Sequence, residues 1–156
     1  MRFQTPTYTL LDEMTASPTA PMTKDRQVRQ LTIMWEGLQA IETAATPNPD
    51  HWRVCSDAVN MMETMVEMGV IEDSSGLLLD AVTGLAIAGK RAMRGEQIRL
   101  DGPGIRAVRA VLEDYATVIE HLSARTMVRC HRRTEKRIRE ILAGRKQKHD
   151  IEVVNL

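Results

Sequence analysis

A chain of 156 residues is one domain's worth, and 43% apolar with 27% charged residues is ordinary for a globular protein with a real core. Aromatics at 3%, ten methionines and two cysteines exclude a disulfide framework and argue against a strand-rich sandwich, leaving aliphatic and thioether packing between helices. Lys and Arg balance Asp and Glu at 21 each, yet nine basic and only two acidic residues fall within 129–149, so the chain is an acidic body with a basic end.

In chain order, residues 1–22 hold three prolines and scattered threonines, and read as an extended or disordered arm on which Leu10, Leu11 and Met14 can dock. No apolar signal-peptide core occurs there, and no run anywhere approaches the roughly 18 apolar residues of a membrane span, so a cytoplasmic location is expected. Thr23 caps a first helix whose apolar face carries Val28, Leu31, Trp35, Leu38 and Ile41. "TPNP" (46–49) stops it, and Asn48 with Pro49 opens a second helix, striped by Trp52, Cys55, Val59, Met62 and Val66 and ended by Gly69. Ser75 caps a third helix within 74–95, where Leu77, Leu78, Leu79, Val82, Leu85 and Ile87 reach around most of the circumference. Such a helix is expected in the middle, with Ala81, Gly84, Ala86, Ala88 and Gly89 letting neighbours approach. "RLDGPG" (99–104) is a breaker. A fourth helix over 104–122 shows the cleanest stripe: Ile105, Val108, Leu112, Tyr115, Ile119, Leu122. Ser123 caps a fifth, which runs to Ala143 and stops at Gly144. The expected fold is an all-α, single-domain bundle of about five helices over 23–144, with a mobile arm (1–22) and a short basic-to-apolar tail (145–156).

The last helix carries the functional signal. On a wheel centred at Ile138, residues Met127, His131, Thr134, Ile141 and Leu142 share a dry face. Arg129, Arg132, Arg133, Lys136, Arg137 and Arg139 gather on the other side, and Arg145, Lys146 and Lys148 extend them. A solvated face usually mixes Glu with Lys, and this one does not. Its expected partner is a polyanion: DNA, RNA or a nucleoprotein complex, held through phosphates. No aromatic residue is interleaved for base stacking, and no helix-turn-helix spacing is present.

Other chemistry is weaker. His51, Cys55, Cys130 and His131 have the donor types of a zinc site but not its spacing, and read as two buried thiols and a core histidine; no metal or cofactor is expected. "DGPG" (101–104) reads as a turn with a cap. Glu113, Asp114, Glu120 and His121 point outward beside the apolar stripe. In "MMETMVEM" (61–68) a core seam is expected, with Met61, Met65 and Met68 off the stripe and able to meet a partner or a second subunit. No nucleophile–base constellation emerges, so an enzyme is not expected.

"HWRVCSDAVNMMETMVEMGVI" (51–71), "GKRAM" (89–93) and "AVLEDYATVIEHLSARTM" (110–127) together resemble small helical proteins encoded on plasmids, prophages and genomic islands of Burkholderiales and similar bacteria. Some of those carry labels as Fis-type transcriptional regulators. The resemblance spans residues 31–127 and implies a mobile-element accessory protein. Two functions follow as expectations. One is a non-enzymatic regulator that docks its basic helix on nucleic acid. The other is a phage- or plasmid-encoded inhibitor of a host defence complex, of the anti-CRISPR kind, acting by protein–protein contact, with a homodimer possible.

Overall fold

In the computed structural model, which describes residues 6–144, every regular element is a helix. They are α1 (Leu10–Thr15), α2 (Lys24–Thr43), α3 (Pro49–Glu67), α4 (Leu78–Met93), α5 (Gly102–His121) and α6 (Ala124–Leu142). The five long ones are those expected from the sequence, and α1 is an addition within the arm. None of them is long and apolar enough to cross a membrane.

Side-chain caps account for most of the helix starts. The side chains of Thr23, Asn48, Asp101 and Ser123 each accept a backbone N–H from the first turn of α2, α3, α5 and α6, which satisfies donors that have no partner inside the helix. For α4 the structure differs from expectation: its cap is Leu77, whose side chain offers nothing, while Ser75 Oγ accepts from Leu77 N–H at 3.2 Å. After α3 and α6 the chain turns with positive φ at Gly69 (73°) and Gly144 (78°), where a side chain would be strained. The C-terminus of α2 is capped from far away: Arg99, between α4 and α5, donates to the carbonyls of Ile41 (2.8 Å) and Ala44.

The middle of the bundle belongs to α3, not α4. The helix α3 packs against α2, α4, α5 and α6, and so buries Ala58, Met61 and Met65 as well as its Trp52–Cys55–Val59–Met62 stripe. Met61 and Met65 are therefore core residues, and only Met68 of the three off-stripe methionines is exposed. Trp52 is tied to its neighbour as well as packed, since its indole N–H donates to Leu85 O at 2.8 Å. The helix α4 lies chiefly on α3 and α5. Its small residues do what their size suggests, because a Cβ on Gly84 would stand 3.3 Å from Gly104 Cα of α5. The opposite side of α4 stays wet, with Leu79, Ile87 and Met93 exposed. On α2 the inward stripe is Met34, Leu38 and Ile41, and Val28 is exposed.

Candidate functional site

The helix α6 is rotated relative to the expected wheel. Its buried positions are Met127, Val128, Cys130, Thr134, Glu135 and Arg137, so the inward face centres on Thr134 rather than Ile138, and Leu142 is exposed. Thr134 Oγ1 stands 2.7 Å from Thr64 Oγ1 of α3 and 2.8 Å from Cys130 O. One turn further along that face comes Arg137, 4% exposed, which is a correction to its place in the outward basic row. Arg137 donates to Glu63 Oε1 at 2.6 Å and to Thr64 Oγ1 at 2.8 Å, and its Nε lies 3.1 Å from Glu67 Oε2. A buried guanidinium needs such partners, because its desolvation is otherwise prohibitive.

Its neighbours follow the same logic at lower burial. Arg132 donates to Glu13 Oε1 of α1 at 2.9 Å, with Arg129 at 3.6 Å from the other oxygen, and Arg133 reaches Glu67 at 3.9 Å. Glu63 with Arg137 and Glu67 with Arg133 pair in opposite chain order, so α3 and α6 run antiparallel with matched i, i+4 charges. Arg129 and Lys136 are exposed and Arg139 is half-buried; Lys136 and Arg139 make no ion pair among the described residues. Arg145, Lys146 and Lys148 lie outside the described residues.

Instead of trailing away, the arm over residues 6–22 lies along α6. Arg125 N–H donates to Ser17 O (2.9 Å), Ala124 N–H to Ala20 O (2.8 Å), and the Arg125 guanidinium to Met14 O (2.7 Å). Thr7 N–H points at both oxygens of Glu135, at 3.2 and 3.3 Å. The ring of Tyr8 meets His131 edge-on, with centroids 5.1 Å apart.

On the side of α6 turned toward α2, the helices do not close. A groove of about 360 Å³ is walled by α2 (Gln30, Ile33, Met34) and α6 (His131, Thr134, Glu135, Ile138) and floored by α3 (Val54, Asp57, Ala58, Met61), with Tyr115 and Thr7 at its margins. Of these residues the sequence singled out Met61, as able to meet a partner, and His131, as a zinc-type donor, but it did not bring them into one site. The signal available was the His131–Glu135 pair at i, i+4, whose facing atoms are 3.4 Å apart. Burial lowers the His131 pKa below its usual value, against the opposing pull of Glu135 and Asp57. Burial also pushes the Tyr115 hydroxyl up to about 12.

The remaining candidates do not assemble. Cys55 and Cys130 are buried thiols, raised by burial to about 12 and about 11, too high for a reactive thiolate. His51 is occupied at the start of α3, where its Nδ1 accepts from Asn48 N–H at 3.1 Å. Among the described residues no three His, Cys, Asp or Glu side chains are grouped to hold a metal ion. Glu113, Glu120 and His121 stay exposed on α5, with Asp114 half-buried. In comparisons with known proteins, no protein-family model, no curated protein and no solved structure matches this chain.

Proposed function

We propose that this chain is a non-enzymatic binding module that acts by contact with another protein, in the accessory role of mobile elements that the resemblance implies. The observation that carries the reading is the pairing of Arg132, Arg133 and Arg137 with Glu13, Glu63 and Glu67. Polyanion binding draws its free energy from cations that replace condensed counterions, and an arginine already held by a carboxylate must first give up that partner. The seven basic residues of α6 stand among five carboxylates, Glu13, Glu63, Glu67, Glu135 and Glu140, which leaves little net field to steer a nucleic acid.

The test is a fluorescence-anisotropy titration with duplex DNA and with single-stranded RNA at 50 and 200 mM salt. The expected result is weak binding with a shallow salt dependence. A loss of about a thousandfold across that range, the signature of six or more phosphate contacts, overturns the reading. One observation favours that second, nucleic-acid reading: Lys136 and Arg139 lack an ion pair among the described residues, Arg129 is exposed, and Arg145, Lys146 and Lys148 follow in the sequence. Under it, Lys136→Glu with Arg139→Glu abolishes binding while helicity is unchanged.

A further inference from the structure

We propose that the groove between α2 and α6 receives a lysine or arginine side chain, flanked by aliphatic residues, from a segment of a partner protein. The inference rests on the protein-contact reading above and names the site and chemistry of that contact. Three observations converge on it.

The groove is apolar where a ligand's body would lie and acidic where its charge would end. Ile33, Met34, Val54, Ala58, Met61 and Ile138 line it, Glu135 on the wall supplies the acidic end, Asp57 on the floor helix already has an interaction partner, and none of the lining residues is Lys or Arg. A long cationic side chain has that same division, a methylene stem that covers apolar surface and a polar head.

Glu135 is 3% exposed, so its carboxylate has lost most of its water. Its contacts are the Thr7 N–H and the His131 ring, and the lowered His131 pKa leaves that ring neutral at pH 7. Arg137, two positions on, is committed to Glu63 and Glu67 on the other side of the helix. A desolvated carboxylate met only by a dipole and a neutral ring has room for a cation, and a charge-assisted hydrogen bond there is stronger than one at the surface.

Tyr115 is the third observation. Its residue is 8% exposed, yet its hydroxyl makes no hydrogen bond among the described residues and it lines the groove. The hydroxyl oxygen keeps access to the groove, where it can meet a ligand's polar group. His131 Nδ1 is buried 3.4 Å from Glu135 Oε1, with no hydrogen bond made there. Volume, apolar lining and a few convergent polar groups are the features of a ligand site. Exposed Ile33 and Asp57 leave this one open along its length, which suits a strand of partner chain better than an enclosed small molecule.

The experiment titrates the whole chain, labelled with nitrogen-15, with three probes: the acetylated peptide LVKVL, the same peptide with glutamate for lysine, and n-butylamine. The expected result is saturable amide shifts for LVKVL at Gln30, Ile33, Ala58 and Glu135, with no response to the glutamate peptide. Glu135→Gln weakens LVKVL binding by about thirtyfold or more, the scale of losing one partner of a buried charge pair. Because Glu135 also anchors Thr7, Ile33→Arg is the second variant: it sets a cation at the exposed rim and blocks the peptide without touching the core. Equal binding of the two peptides, shifts confined to Arg129 and Lys136, or no shifts at millimolar peptide overturns the proposal. So does n-butylamine binding as tightly as LVKVL, which would make the groove a small-amine site. Steep salt-dependent DNA binding defeats the protein-contact reading while leaving this titration to be judged alone; a null titration without DNA binding removes only the groove.

Discussion

The helices α4 and α6 invert each other. By composition α4 is the most apolar helix of the bundle, yet Leu79 stands 75% exposed and the helix packs on one side only. By composition α6 is the most charged, yet it buries Arg137 and Glu135 more deeply than α4 buries Leu78. What a helix contains therefore does not fix how deep it sits. Position follows from which stripe meets a neighbour and from whether that neighbour offers matching groups. The helix α3 supplies Glu63, Thr64 and Glu67 to α6, and it supplies Trp52 to the backbone of α4.

The largest expected effect lies on the α6 side of this contrast. Glu63→Ala with Glu67→Ala leaves Arg137 buried beside a single neutral hydroxyl, and breaking a buried pair from one side costs about 3 kcal/mol or more. For a domain of this size that lowers the melting temperature by about 10 °C. Adding Arg137→Met removes the stranded charge and restores most of the loss, since an apolar side chain of similar length suits that face. If the triple variant is no more stable than the double one, the two carboxylates act on something other than Arg137.

On the α4 side the contrast runs within one helix. Leu85 is 3% exposed and Leu79 lies six residues earlier on the wet side. Urea unfolding is expected to show a loss of about 2–5 kcal/mol for Leu85→Ala and a change within about 0.5 kcal/mol for Leu79→Ala. A loss at Leu79 above about 1 kcal/mol, growing with protein concentration, would show that α4 is covered in solution and would end the contrast.

Much of the architecture was legible in residue spacing. The stripe of α5 reads directly as Val108, Leu112, Tyr115 and Ile119, all buried, and the caps at Thr23, Asn48 and Ser123 mark true helix starts. The centre of the bundle was not legible, because an all-round apolar pattern signals burial only if enough neighbours exist to cover it, and α4 packs chiefly on two. The fate of the basic row was hidden for a related reason. Arg133 and Arg137 repeat at four residues, as do Glu63 and Glu67, but only the antiparallel placement of α3 against α6 brings the two repeats together. Thr134 at the centre of the inward face also shifted the wheel, since a hydroxyl bonded to Thr64 and Cys130 can occupy a core position that apolar counting assigns to Ile138. The groove left still less trace, because its lining comes from four helices and the arm, with no more than four residues from any one of them.

The smallest predicted effect is a pH dependence on the groove side of α6. Charged and titratable groups face His131 from every side: Glu135 on its own helix, Asp57 from α3, Tyr115 from α5 and Tyr8 from the arm. Burial outweighs the two carboxylates and holds the folded-state pKa of His131 below 6.5, whereas the unfolded chain titrates near the ordinary value. As pH falls through about 6.5, the unfolded chain takes up a proton that the folded chain still refuses, so stability declines until the folded-state pKa is passed. Urea midpoints at pH 7.5, 6.5 and 5.5 are expected to fall for the wild-type chain and to fall less for His131→Gln. Parallel curves for the two proteins would place the protonation elsewhere, and a wild-type midpoint that rises on acidification would mean that Glu135 and Asp57, not burial, dominate the ring. That last outcome would also weaken the groove's claim on an external cation, since His131 itself would then supply the charge that Glu135 lacks.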